Sequence, residues 1–139
     1  MLKGLHILLL LCSSLLTTSD GIAQIDPCIA SSSYKIVVLG SSTAAGSGPS
    51  TPDSTWVNRY RNYLQSINPA NDVVNLAVGG YNTYRIMPTG FVPPPNRPNP
   101  DIARNITAAL AEIPDAIIVN MPSNDVASNF TYSEQMFNL

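Results

Sequence analysis

Histidine is almost missing from this chain, and so is any surplus of charge. The sequence holds one histidine, His6, and two cysteines, Cys12 and Cys28. Charged residues make up 12%, with 7 Lys+Arg against 9 Asp+Glu, and the basic residues do not cluster. A protein that neutralises nucleic-acid phosphates needs a basic patch, so the composition argues against a nucleic-acid partner. No set of His, Cys and carboxylate side chains has metal-ligand spacing, and neither a metal nor a cofactor is expected. What is present suits one domain with a core: 139 residues, 45% of them apolar.

The scarcity deepens once the N-terminus is read. Met1-Leu2-Lys3 supplies a positive start, and Leu5 to Leu16 is an apolar run broken by small residues and His6. Small residues then precede a cut between Ala23 and Gln24. This is the pattern of a secretory signal peptide over residues 1–23, and the run is short for a membrane span. A retained N-terminal anchor is the alternative. A lipoprotein reading through Cys12 is disfavoured, because Leu9-Leu10-Leu11 lacks the small residues expected before a lipidated cysteine. The expectation is a secreted or periplasmic protein with no stable membrane insertion after cleavage. The mature chain would keep Cys28 alone, free or paired outside this sequence. It would keep no histidine, the most frequent general base in catalysis.

Residues 24–33 read as a polar lead-in, and 34–139 as the domain. Tyr34–Leu39, Val73–Val78 and Ala116–Val119 are short apolar, β-branched runs, the mark of buried strands. Between the first two, Trp56, Tyr60 and Leu64 fall at helical spacing with Val57 and Ile67 beside them. Asn58, Arg59, Arg61 and Asn62 are expected to face outward. Asp53, Ser54 or Thr55 would cap this helix, and Asn68-Pro69 would end it. Six prolines between Pro88 and Pro100 forbid regular structure there, with Arg85 and Arg97 expected in solvent on either side. Asp101 should cap a helix from Ile102 to Glu112 with Ile102, Ile106 and Leu110 inward. A last helix would begin near Tyr132, capped by Thr131 or Ser133. Strand and helix alternate, which predicts βαβ units: a three-layer α/β/α arrangement around a parallel sheet.

In such a sheet the site lies beyond the carboxyl ends of the strands. Three loops occupy that edge: "GSSTAAG" after the first strand, "GGYNTY" after the second and "NMPSND" after the third. A phosphate-binding Walker loop fails, because Gly40 and Gly46 are wrongly spaced and Ser47 stands where lysine belongs. A dinucleotide fingerprint fails at Thr51, where its third glycine should be. The nucleophile elbow G-x-S-x-G fails at Ala44, and only one strand precedes Ser42.

Taken together, the three loops resemble the first three sequence blocks of the SGNH, or GDSL-like, hydrolases. Gly40-Ser41-Ser42-Thr43 is similar to the Gly-Asp-Ser block, Asn75–Gly80 to the second, and Pro122-Ser123-Asn124-Asp125 to the Gly-x-Asn-Asp block. The resemblance implies a flavodoxin-like fold and an esterase. Ser42 would be the nucleophile, and Gly80 and Asn124 would share the oxyanion hole with the Ser42 backbone N–H. Three departures accompany it. Ser41 replaces the aspartate, Pro122 replaces the glycine, and no Asp-x-x-His block follows. The resemblance thus implies the N-terminal part of a longer protein, truncated at its C-terminus and inactive without that block.

The substrate expected on these grounds is a small-molecule or polysaccharide ester, carrying an acyl or acetyl group on a carbohydrate or lipid. Two alternatives stay open: a secreted binding module on the same fold, and a flavodoxin-like domain holding an anionic ligand at Ser41–Gly48. Asp125 is expected to do structural work, and Tyr81, Asn82 and Tyr84 are candidates for touching substrate. The sequons at Asn105 and Asn129 matter only in a host that glycosylates.

Overall fold

The computed structural model describes residues 32–121 and 124–139. The leader, its His6 and Cys12, most of the lead-in with Cys28, and Pro122 lie outside the described residues.

The first strand, β1 (Lys35–Gly40), is the centre of the molecule. Val37, Val38 and Leu39 are wholly buried, because helices cover the sheet on both sides and alternate side chains enter both layers. A short helix, α1 (Ser42–Ala45), leaves its end. After a 3-10 turn at Pro52–Ser54 comes α2 (Trp56–Ile67), whose N-cap is Thr55; the Thr55 side chain accepts from the Asn58 N–H. The chain returns along β2 (Asp72–Asn75), parallel to β1 with Val37 opposite Val74. A single turn, α3 (Thr83–Ile86), precedes the proline-rich segment. Then α4 (Ile106–Ala111) leads into β3 (Ala116–Asn120), also parallel to β1, with Gly40 opposite Asn120. Two more short helices, α5 (Asn124–Ala127) and α6 (Tyr132–Asn138), follow.

The sheet order is β2-β1-β3. On one face Ile36 and Val38 pack with Ala44, Val57 and Val73, backed by Trp56, Tyr60 and Leu64 of α2. On the other face Val37 and Leu39 pack with Ile86 and Ala109, backed by Ile106 of α4. The expected three layers and parallel sheet are therefore present. Because the chain moves to one side of β1 and then crosses to the other, the loops after β1 and β3 part at a topological switch point. Ligand sites in open α/β sheets lie at such points, and Ser42 follows β1 at this one.

Several local expectations need correction. The helix expected from Ile102 begins instead at Ile106, capped by Asn105. Asp101 is a competent cap, but its carboxylate folds back onto the Ala103 N–H as a turn. Asn105 wins because it is held from both sides: Oδ1 accepts from the Ala108 N–H, and Nδ2 donates to Thr89 Oγ1. Ile102 and Leu110 are consequently 71% and 60% exposed rather than inward. Asn105 itself is fully buried, which closes that sequon to glycosylation in the folded state.

Arg61 does not simply face outward. Its guanidinium donates to the Val73 carbonyl through Nε and Nη2, at 3.0 and 2.6 Å. Arg97 is not solvated either. It donates to both carboxylate oxygens of Glu134, at 2.6 and 3.1 Å, and lies 4.3 Å from the centroid of the Phe130 ring. Strand β2 stops at Asn75, three residues short of the expected end, although the Leu76 and Val78 N–H groups still donate to β1 carbonyls.

Candidate active site

The turn that carries Ser42 is set by what precedes and follows it. Gly40 closes β1 where a Cβ would sit 2.6 Å from Ala44 Cβ and 2.9 Å from the Asn120 carbonyl oxygen. Only glycine lets α1 start so close to both neighbours. Ser41 is buried as the N-cap, and its N–H donates to the Asn120 carbonyl at 3.1 Å. Ala44 is fully buried against the α2 layer, and its carbonyl accepts from Asn75 Nδ2 at 2.8 Å. Gly46, in the left-handed region at φ 102°, ends α1 after one turn. Ser42 thus stands half-buried at the first position of a clamped turn, where its N–H has no intrahelical acceptor.

The second loop leaves β2 alongside this turn, with the Val78 N–H donating to the Gly40 carbonyl at 3.1 Å. Gly79 and Gly80 are exposed, and Gly80 has φ 81°. A Cβ on Gly80 would meet nothing within 4 Å, so glycine is required there by the backbone angle and not by crowding. Tyr81 follows, and its hydroxyl donates to Asp101 Oδ2.

The third loop is fastened to the second by consecutive residues. Asn124 Nδ2 donates to the Tyr81 carbonyl at 2.7 Å. That bond uses one of the two amide hydrogens and leaves the other unassigned. Asp125 is buried, and its carboxylate accepts from both the N–H and the hydroxyl of Thr83 at the start of α3. Thr83 Oγ1 accepts in turn from Asn138 Nδ2 at 2.9 Å, which brings α6 into the same network.

Ser42, Gly80 and Asn124 therefore all lie at the carboxyl edge of the sheet. Backbone hydrogen bonds flank the serine turn on both sides, at Gly40 and at Ser41. Asn124 is bonded to the Tyr81 carbonyl, one residue beyond Gly80. Among the described residues no hydrogen bond joins Ser42 to either of them, and no histidine is present to accept its proton. Ser41 Oγ and Asn120 Oδ1 are enclosed beside the turn, without a hydrogen-bond partner among the described residues.

Tyr84, a candidate for touching substrate, is instead buried and donates its hydroxyl to Glu134 Oε1. Burial pushes the Tyr84 phenol up, aided by Glu134. The Arg97 bonds hold the Glu134 carboxyl far below the usual carboxylate range. This cluster bolts α6 to the proline-rich segment. Thr83, Asp101 and Asn138 join the site's framework without having been singled out for it. Only the polarity of "NTY" hinted at one of them, and the spacing between the partners carries no signal.

Among the described residues no group of His, Cys, Asp and Glu could hold a metal ion, and no helix is long and apolar enough to cross a membrane. A hollow of about 260 Å³ adjoins α1, lined by Ala45, Gly46, Thr55, Asn58 and Asn75 among others. A more apolar groove of about 430 Å³ runs under the proline-rich segment, between Tyr84, Phe91 and Phe137.

Among solved structures, the chain is similar to AlinE4, an SGNH-hydrolase family esterase, at 20% identity and a TM-score of 0.50. The match covers 77% of this chain and 49% of that one, so the chain spans about half the esterase's length. At that identity the likeness speaks for the fold. No curated protein matches the sequence. The family of GDSL-like lipases and acylhydrolases matches residues 36–138, from the first buried strand to the last helix. The chain belongs to the GDSL-like lipase/acylhydrolase family.

Proposed function

We propose that this protein is an exported serine esterase that removes an acyl or acetyl group from a carbohydrate or lipid ester. The observation that carries the reading is the Asn124 bond to the Tyr81 carbonyl. It joins the third loop to the second next to Gly80, at the sheet edge where β1 delivers Ser42. Family membership supports the chemistry, and the residue types suit it.

In this reading the Ser42 hydroxyl loses its proton to a base and attacks the ester carbonyl carbon. The carbonyl oxygen becomes an oxyanion, which accepts from the Ser42 N–H, the Gly80 N–H and the free amide hydrogen of Asn124. The intermediate collapses, the alcohol leaves with the proton, and water then releases the acid from the acyl-enzyme. Residues 36–138 contain no histidine, the usual base for such a serine, and no residue among them is assigned that step. These residues alone should therefore hydrolyse esters poorly. Residues 1–23, read as a signal peptide, support export.

The test is hydrolysis of a short-chain nitrophenyl ester by the protein expressed from its complete reading frame. Ser42→Ala should abolish turnover. Asn124→Ala should lower kcat by about a hundredfold or more, the usual loss for one oxyanion donor. Equal turnover by Ser42→Ala would sink the assignment. An intact protein that binds esters without turning them over would instead be a binding module on this fold.

A further inference from the structure

The Gly79-Gly80 turn raises a mechanical question. Both residues are exposed, and a Cβ on either would meet nothing within 4 Å. Packing therefore does not hold the peptide that carries the candidate oxyanion N–H, and glycine rotates at little cost. What holds it is hydrogen bonding at the next residue. The Tyr81 N–H donates to the Val78 carbonyl at 3.3 Å, which is long for such a bond. The other two are firmer: Asn124 Nδ2 to the Tyr81 carbonyl at 2.7 Å, and the phenol to Asp101.

Asp101 is a fixed anchor. Its Oδ1 accepts from the Ala103 N–H, and its own N–H donates to the Arg85 carbonyl, both at 3.0 Å. The Arg85 guanidinium in turn reaches the Asn99 carbonyl. The phenol therefore ties the glycine turn to the end of the proline-rich segment, where the backbone is stiff. A displacement of Tyr81 would move its carbonyl, and the Asn124 amide with it, and would leave the adjoining Gly80 backbone free to rotate its N–H out of place. One residue governs two donors.

Resting on the reading of Gly80 and Asn124 as oxyanion donors, we propose that Tyr81 is the positioning residue of the oxyanion hole, acting through its tether to Asp101. It does not touch the reacting atoms. The tether does not switch near neutral pH. Burial and the neighbouring carboxylate push the phenol up, and the bond from Tyr81 holds the Asp101 carboxyl down.

Tyr81→Phe keeps the ring and removes only the tether. In the protein expressed from its complete reading frame, it should lower kcat on a short-chain nitrophenyl ester by between about tenfold and a hundredfold, with KM within about twofold. Affinity for an alkyl boronic acid, which mimics the tetrahedral intermediate, should fall by the same factor. Asp101→Asn keeps a neutral acceptor and should lose less. The double variant should match Tyr81→Phe alone, since both changes cut one tether. An unchanged kcat in Tyr81→Phe, a rise in KM alone, or additive losses in the double variant would overturn the proposal. Ser42→Ala, measured alongside, separates the two levels. If it keeps full turnover, the oxyanion reading and the proposal fall together. If it is inactive while Tyr81→Phe is unimpaired, only the role of Tyr81 falls.

Discussion

Replacing Asp125 with alanine should unlatch the third loop from the second. The carboxylate is 3% exposed and accepts two donors from Thr83, itself 2% exposed. Without it the Thr83 N–H is left inside the protein at a helix start, where no intrahelical carbonyl can serve it. A hydrogen bond to a charged group contributes about 1.5–3 kcal/mol. The Thr83 hydroxyl keeps its bond from Asn138, so the two losses do not simply double. The expected cost is about 3–4 kcal/mol, a large share of the roughly 5–15 kcal/mol that holds a domain folded. Thr83→Val removes the hydroxyl with its bond to the carboxylate and the one it accepts from Asn138, keeps the Thr83 N–H bond, and should cost about 2 kcal/mol. Urea denaturation measures both, followed by the fluorescence of Trp56, the single tryptophan, and by circular dichroism to check for one transition. If Asp125→Ala costs less than about 1 kcal/mol, or no more than Thr83→Val, the latch is not what holds these loops.

Two further outcomes follow from the same framework. Gly40→Ala should destabilise by about 1–3 kcal/mol through overpacking against Ala44 and Asn120, and should lower esterase turnover by moving Ser42. Gly80→Ala, with open space around it, should cost only about 1–2 kcal/mol of backbone strain, so denaturation curves that rank the two the other way would contradict the geometry. Stability should also fall with acid. Asp101 and Glu134 bind their protons less tightly in the folded chain than at the ordinary values of 3.8 and 4.5, because of Tyr81 and Arg97 respectively. Their contribution is therefore complete above about pH 5 and is lost as the pH falls through 4 toward the lower folded values. Glu134→Gln should flatten that slope, and a wild-type stability unchanged from pH 5 to pH 3 would refute the assignment.

The parts of the fold legible in the sequence are those written in local pattern. Apolar β-branched runs marked all three strands, and the helical spacing of Trp56, Tyr60 and Leu64 marked the face that α2 turns to the core. What escaped was decided by distant partners. Asp101 and Asn105 are equally good caps in isolation, and it is Thr89, sixteen residues away, that favours Asn105. Nothing near Arg97 announces Glu134, and nothing near Tyr81 announces Asp101 or Asn124, which lie 20 and 43 residues on. The three candidate residues could be named because each follows a strand within a family-like block. The tether that would position them could not, since a hydrogen bond between two loops leaves no periodicity.

Ser42 is proposed as a nucleophile at the end of β1. Treating the protein, expressed from its complete reading frame, with an alkyl fluorophosphonate and mapping the adduct by mass tests it most directly. One phosphonyl group is expected, bound to the Ser42 oxygen with loss of fluoride, and no labelling in Ser42→Ala. An adduct on a different serine, or equal labelling of the Ser42→Ala protein, would contradict it.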